Sequence, residues 1–245
     1  MIPRFLSNLF AGDTVTSFRR TIGNARMFDK IVGYEGIKRT FLRSLNSEPV
    51  HILLVGSPGQ AKTLFLKCIL EAFGEKKVFF TVGGNASKSG IIDVLFEMRP
   101  KYLLVDEIEH LKSEYQTTLL SLMESGILTQ TMHKKVRQTY LKTWVFATSN
   151  GTRKLSEPLL SRFRVMHMDE YDFSQFYEIS VKRLLDEGLS QIAADEITKS
   201  VWEQLPNHSI RNCVQIGHLV KNEKNIEMAI ADEIQNFKEY GGQEK

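Results

Sequence analysis

Gly56-Ser57-Pro58-Gly59-Gln60-Ala61-Lys62-Thr63 sets two glycines, a lysine and a hydroxyl side chain between a short apolar run and a helical stretch. Backbone N–H groups wrapped in such a turn, at the positive end of a helix, hold phosphate oxygens. Lys62 then reaches the β and γ phosphates of a nucleotide, Thr63 offers a hydroxyl to Mg2+, and Leu64 starts the helix behind them. Loops of this pattern place glycine before the lysine, and here Ala61 stands there. The loop keeps its shape if Ala61 takes a negative φ.

Tyr102-Leu103-Leu104-Val105-Asp106-Glu107 puts two adjacent carboxylates at the end of an apolar strand. In an open parallel sheet that edge is where ligands bind. Asp106 is placed to hold Mg2+, and Glu107 to orient and activate water for attack on a phosphate. Two carboxylates that both stay ionised need a cation, which the metal supplies. A further apolar strand, Thr143–Thr148, runs into Ser149 and Asn150. Asn150 is the first choice to hold the attacking water, with Thr148 and Ser149 as substitutes.

Pro158-Leu159-Leu160-Ser161-Arg162-Phe163-Arg164 offers a cation beyond an apolar anchor. Such an arginine reaches the γ-phosphate of a neighbouring subunit; Arg162 is the first choice and Arg164 the second. Arg211, after the N-cap candidate Ser209, is placed to contact phosphates in cis.

The elements that must position these groups follow from periodicity. Apolar runs at His51–Val55, Val78–Val82, Tyr102–Val105 and Thr143–Thr148 read as buried strands. Between them Ile37–Leu45, Lys62–Phe73, Ile91–Met98 and Tyr115–Met123 read as helices. Strand and helix in alternation predict a parallel sheet covered on both faces. Ile127–Met132 and Val136–Leu141 form a candidate hairpin around His133-Lys134-Lys135, with Arg137 following. From Phe173 onward the pattern is helical only, at Phe173–Leu185, Ala193–Leu205 and Ile210–Lys221, and the residues after Ile230 are mostly polar. The predicted division is an N-terminal arm over 1–30, an α/β nucleotide-binding domain over 31–168 and a helical lid domain over 169–245.

Composition narrows the classes. With 32 Lys and Arg against 29 Asp and Glu the net charge is +3, so any basic surface is local. The two cysteines, Cys68 and Cys213, support neither a disulfide framework nor a zinc site, which fits a reducing cytoplasm. No apolar run approaches the length of about 18 residues that a spanning helix requires. At the start of the chain, Asn8, Gly12 and Asp13 interrupt what would otherwise be a signal-peptide core.

The order phosphate loop, acidic pair, polar strand end, Ser-Arg-Phe and helical-lobe arginine resembles the AAA+ ATPases from about Ile31 to Lys221. The resemblance implies a P-loop NTPase sheet with a small helical lid. It implies a Walker A loop at Gly56–Thr63, Walker B at Leu103–Glu107, sensor 1 near Asn150, an arginine finger at Arg162 and sensor 2 at Arg211. Ile31-Val32-Gly33, with Tyr34 beside it, is similar to the family's adenine-contacting entry.

Within the family, the stretches beginning at Ile31 and Pro158 look like the RuvB-type Holliday-junction motor. The Ala61 loop resembles the minichromosome-maintenance helicases, and Leu119–Gly126 is similar to these and to MoxR-type chaperones. These groups share a hairpin before the sensor 1 strand. The RuvB-type motor carries a winged-helix domain after its helical lobe, which the polar residues here do not match. The implied function is Mg2+-dependent ATP hydrolysis by a ring oligomer, expected to be a hexamer, acting as a helicase or remodeller on DNA through the basic hairpin His133–Arg137. The alternative is a MoxR-like chaperone ATPase with a protein partner.

Overall fold

The computed structural model describes residues 26–85, 88–132, 135–206 and 208–240. Of the predicted arm over 1–30, only Arg26–Lys30 fall among them: a turn that sends Phe28 into the core. The chain forms two compact units that divide between Met168 and Asp169.

The first unit runs α1 (Glu35–Leu45), β1 (His51–Val55), α2 (Lys62–Phe73), β2 (Val78–Val82), α3 (Lys88–Met98), β3 (Tyr102–Asp106) and α4 (Ser113–Ser125). It continues with β4 (Ile127–Met132), β5 (Lys135–Tyr140), β6 (Trp144–Ser149), α5 (Glu157–Leu160) and β7 (Phe163–His167). Five strands form one sheet in the order β2-β3-β6-β1-β7, with every pair parallel.

β1, β3 and β6 are buried along their whole length, which is why they read as unbroken apolar runs. Successive side chains still face opposite ways. Leu53, Leu103 and Val145 pack under Leu95 of α3 and Tyr115 and Leu119 of α4. Ile52, Leu104 and Phe146 pack against Phe41 of α1 and Phe65 and Ile69 of α2. The sheet is therefore sandwiched by helices, as an α/β doubly covered fold requires.

β7 is an element that sequence periodicity did not separate from the Ser-Arg-Phe segment. Its register on β1, His51 with Phe163 through Val55 with His167, makes it one of the two edge strands. Arg164 and His167 are exposed and Val165 and Met166 half-buried, so the segment lacks the apolar signature of the inner strands.

His51 joins three elements. Its Nδ1 accepts the Val145 N–H at 3.0 Å, and Nε2 lies 3.2 Å from the Met123 carbonyl at the end of α4. An imidazole that accepts at Nδ1 is neutral and donates from Nε2. Burial holds its pKa below the usual histidine value, the Met123 carbonyl pulling weakly the other way. As pH falls, the unfolded chain takes up this proton before the folded one does. His51 therefore contributes stability that is present above about pH 6.5 and is lost as pH falls toward its depressed value. Urea midpoints between pH 7.5 and 5 should fall less steeply for His51→Gln than for the wild type; equal slopes would contradict this linkage.

The hairpin β4–β5 pairs in register from Ile127 with Tyr140 to Met132 with Lys135, and its tip, His133-Lys134, lies outside the described residues. Arg137 does not project as a free cation: it pairs with Asp93 of α3, donates to Gln130 Oε1 at 2.5 Å and lies 4.3 Å from the Phe96 ring centre. It docks the hairpin on α3. The opposite face, with Val136 and Tyr140 exposed and Thr129 and Gln138 beside them, carries no charge at these four positions.

The second unit holds α6 (Phe173–Asp186), α7 (Gln191–Gln204), α8 (Ile210–Val220) and α9 (Ile226–Tyr240) around Phe176, Leu184, Ile197, Val201, Ile216 and Ile230. Asp172 and Gln175 form a capping box on α6, and Ser190 and Ser209 cap α7 and α8. α9 corrects the reading of a polar tail. Ile226, Ala229, Ile230, Ile234 and Phe237 repeat at helical spacing, a narrow stripe within an otherwise polar run.

Candidate active site

The carboxyl ends of β1, β6 and β3 lie side by side, because β6 sits between the other two in the sheet. The phosphate loop leaves β1, the acidic pair closes β3, and the polar residues close β6. Three segments distant in sequence thus share one edge.

The loop is anchored at its base: the Gly56 N–H donates to Ser149 O at 3.2 Å, and Met168 N–H donates to Val55 O at 2.8 Å. Gly56 cannot carry a side chain, since a Cβ there would lie 2.1 Å from Gln60 Oε1 and 2.9 Å from the Met168 carbonyl oxygen. Lys62, 8% exposed, donates to the carbonyls of Gly56 at 2.6 Å and Ser57 at 2.7 Å. Its ammonium therefore spans the concave side of the loop, where it can exchange carbonyl partners for phosphate oxygens.

Ala61 departs from expectation. Its φ is +51° with ψ 12°, left-handed and not the negative φ the sequence reading required. This explains the usual glycine: the chain must enter α2 through a left-handed residue, at a cost of about 1–2 kcal/mol for an L side chain. Ala61→Gly should stabilise the fold by about 0.5–1 kcal/mol once the added flexibility of unfolded glycine is subtracted. A raised urea midpoint would show it; a lowered one would contradict the strain.

Asp106 is buried and accepts from the Thr63 hydroxyl at 3.0 and 2.9 Å on its two oxygens. The Thr148 hydroxyl also donates to Asp106, and the Glu107 N–H donates to Thr148 Oγ1 at 3.0 Å. A single relay, Glu107 amide to Thr148 hydroxyl to Asp106 carboxylate, sets both acids against β6. Glu107 is exposed, at φ +52°, ψ 50°. Gly83, after β2, packs on this turn so closely that a Cβ would fall 2.3 Å from the Glu107 carbonyl oxygen. The adjacent glycines 83 and 84 were the available signal for that close approach.

Among the three polar residues ending β6, Thr148 is the one whose side chain meets the acidic pair. Ser149 is fully buried, and Asn150 is exposed, its N–H donating to Glu109 Oε1 at 2.9 Å. Arg162 is not free: it donates to Pro158 O at 2.7 Å and pairs with Glu124 of α4, while Arg164 is exposed on β7. Ile31 is buried in the core beside Phe28, with Val32 and Tyr34 half-buried next to it. Arg211, in the second unit, is exposed in the first turn of α8, and its N–H donates to Ser209 Oγ at 3.2 Å.

A hydroxyl and a carboxylate oxygen converging from Thr63 and Asp106 are the hard donors that Mg2+ takes, the remaining positions being left to water and phosphate. The residues present fit that ion.

Residues 52–170 match the family model described as ATPase family associated with various cellular activities, AAA. Over 226 residues the chain is 25% identical to the Holliday junction branch migration complex subunit RuvB of Prochlorococcus marinus, covering 85% of this chain and 63% of that protein. Residues 52–170 thus carry an AAA family domain. The chain is also 25% identical over 177 residues to the Lon protease of Mycoplasma mobile, covering 63% of the chain but 21% of Lon. It therefore spans less than two thirds of the length of either relative. The Thermotoga maritima RuvB Holliday junction branch migration motor has the same fold, with a TM-score of 0.62 at 19% identity over 85% of this chain and 72% of that structure. Among the described residues, no helix is long and apolar enough to cross a membrane.

Proposed function

We propose that this AAA protein hydrolyses ATP in an oligomeric ring, a hexamer in our reading, and uses the cycle to move along or remodel DNA. The observation that carries the ATPase reading is the junction of Lys62, Thr63, Asp106 and Glu107 at one sheet edge, joined through Thr148. Gly56 to Leu64 cradles the phosphates, and Thr63 and Asp106 hold Mg2+, whose charge offsets that of the triphosphate. Glu107, with Asn150, orients water for in-line attack on the γ-phosphorus. The bond to the β–γ bridging oxygen breaks, and ADP and phosphate leave. Lys62 and a neighbour's Arg162 neutralise the charge that develops. Ile31 and Val32 belong to the adenine side.

The DNA reading draws on the likeness to RuvB and on the basic hairpin tip. A second reading is favoured by the hairpin itself. Arg137 is committed to Asp93, and the outward positions Thr129, Val136, Gln138 and Tyr140 are uncharged, which suits a protein partner better than a phosphate backbone. ATPase rates with single-stranded, duplex and branched DNA separate the two. DNA remodelling predicts stimulation that fades as salt rises. A rate unmoved by all three DNAs would overturn it in favour of a protein substrate.

A further inference from the structure

Glu109 lies two residues beyond Glu107, on the single turn Ile108–His110, and is only 9% exposed. Its Oε1 accepts the Asn150 N–H at 2.9 Å, across the gap between the ends of β3 and β6. Its Oε2 is buried without a partner among the described residues. Removing a carboxylate from water with one oxygen unbonded costs free energy, so a single contact to a backbone amide is a poor source of stability. A buried polar group left in that condition calls for a role other than holding the fold.

Its surroundings supply one. Glu107 is held in a left-handed conformation that an L residue keeps only where its neighbours impose it. The turn carrying it is stitched to β6 and to the residue just past its end. Thr148 serves the near side of the turn, bonding Asp106 and the Glu107 amide. Glu109 serves the far side, through Asn150. An ionised carboxylate makes a stronger acceptor for an amide N–H than a neutral group does.

We propose that Glu109 is a positioning residue, a clasp that fixes Asn150 relative to Glu107 so that both address the same water. This role rests on the ATPase reading above. In this role Glu109 acts through the two residues it holds in register.

Glu109→Ala and Glu109→Gln test it, with ATP turnover, affinity for a fluorescent ATP analogue, and hydrogen exchange at the Asn150 amide as readouts. Loss of register predicts kcat down about ten- to a hundredfold in Glu109→Ala, since displacements near one ångström carry costs of that order. Nucleotide affinity should stay within about twofold, because the phosphate loop is untouched. The Asn150 amide should exchange freely in the alanine variant and stay protected in the wild type and in Glu109→Gln. The glutamine oxygen can accept the same bond, so that variant should recover most of the turnover. Wild-type turnover in Glu109→Ala, or a still-protected Asn150 amide, would overturn the clasp. So would parallel losses of turnover, nucleotide affinity and cooperative unfolding in both variants, which mark a merely structural residue. A wild type that binds nucleotide without hydrolysing it would remove the ATPase reading and this role with it, whereas failure of the variants alone leaves that reading standing.

Discussion

Arg162→Ala should lower ATP turnover of the assembled protein by about 10³–10⁵, the range associated with a finger that stabilises transferring phosphate. The neighbourhood of Arg162 sets the conditions. In the single chain its guanidinium is held by the Pro158 carbonyl and Glu124, whose side chain is 65% exposed. An ion pair that open to water contributes about 0–1 kcal/mol, so a triphosphate offered by an adjoining subunit can displace it. A finger acting in trans also makes turnover per subunit fall on dilution below the assembly threshold. Arg162→Ala should abolish that dependence and leave nucleotide affinity unchanged. A wild-type rate per subunit that stays flat down to monomer would remove Arg162 from this role, and a full loss in Arg164→Ala instead would pass it to Arg164.

Glu107→Gln should retain nucleotide and lose turnover by about 10²–10⁴, the usual contribution of a positioned acid or base. The separation is expected because Glu107 meets the rest of the site through its backbone: the N–H on Thr148 and the carbonyl against Gly83. An isosteric amide preserves both contacts and the left-handed turn while removing the carboxylate that polarises water. Phosphate release in a single-turnover assay, beside binding of a fluorescent ATP analogue, reads the two effects apart. Equal turnover in wild type and Glu107→Gln would show that the carboxylate does not activate water.

Much of the sheet was legible because its inner strands are buried on both faces and so print continuous apolar runs. β1 and β2 keep the expected bounds, β3 runs one residue further, and β6 shifts by one residue at both ends. The edge strand β7 escaped because solvent on one side leaves Arg164 and His167 in the pattern. α9 escaped because a helix contributing only a narrow stripe looks polar on average. α3 begins at Lys88, three residues before the expected Ile91, since its first turn carries no apolar residue to announce it.

At the site, spacing placed the loop and the acidic pair, whose chemistry is carried by short contiguous segments. Contacts between distant segments were another matter. That Thr148 meets Asp106, that Arg162 pairs with Glu124 and that Arg137 turns back onto Asp93 depend on pairings 38 to 44 residues apart in the chain. Local pattern does not encode them. The left-handed Ala61 is a different failure: the missing glycine was visible, but the dihedral that makes glycine useful there was taken with the wrong sign.

The most direct test is equilibrium binding of a fluorescent ATP analogue with Mg2+, titrated into wild type and Lys62→Ala. If the curl of backbone from Gly56 to Thr63 holds a triphosphate tail, the wild type binds and ADP competes. Loss of the charge-assisted contacts of Lys62 then weakens binding by about ten- to a hundredfold. A wild type with no measurable affinity for the analogue, ATP or ADP, or a Lys62→Ala variant that binds equally well, would contradict the account.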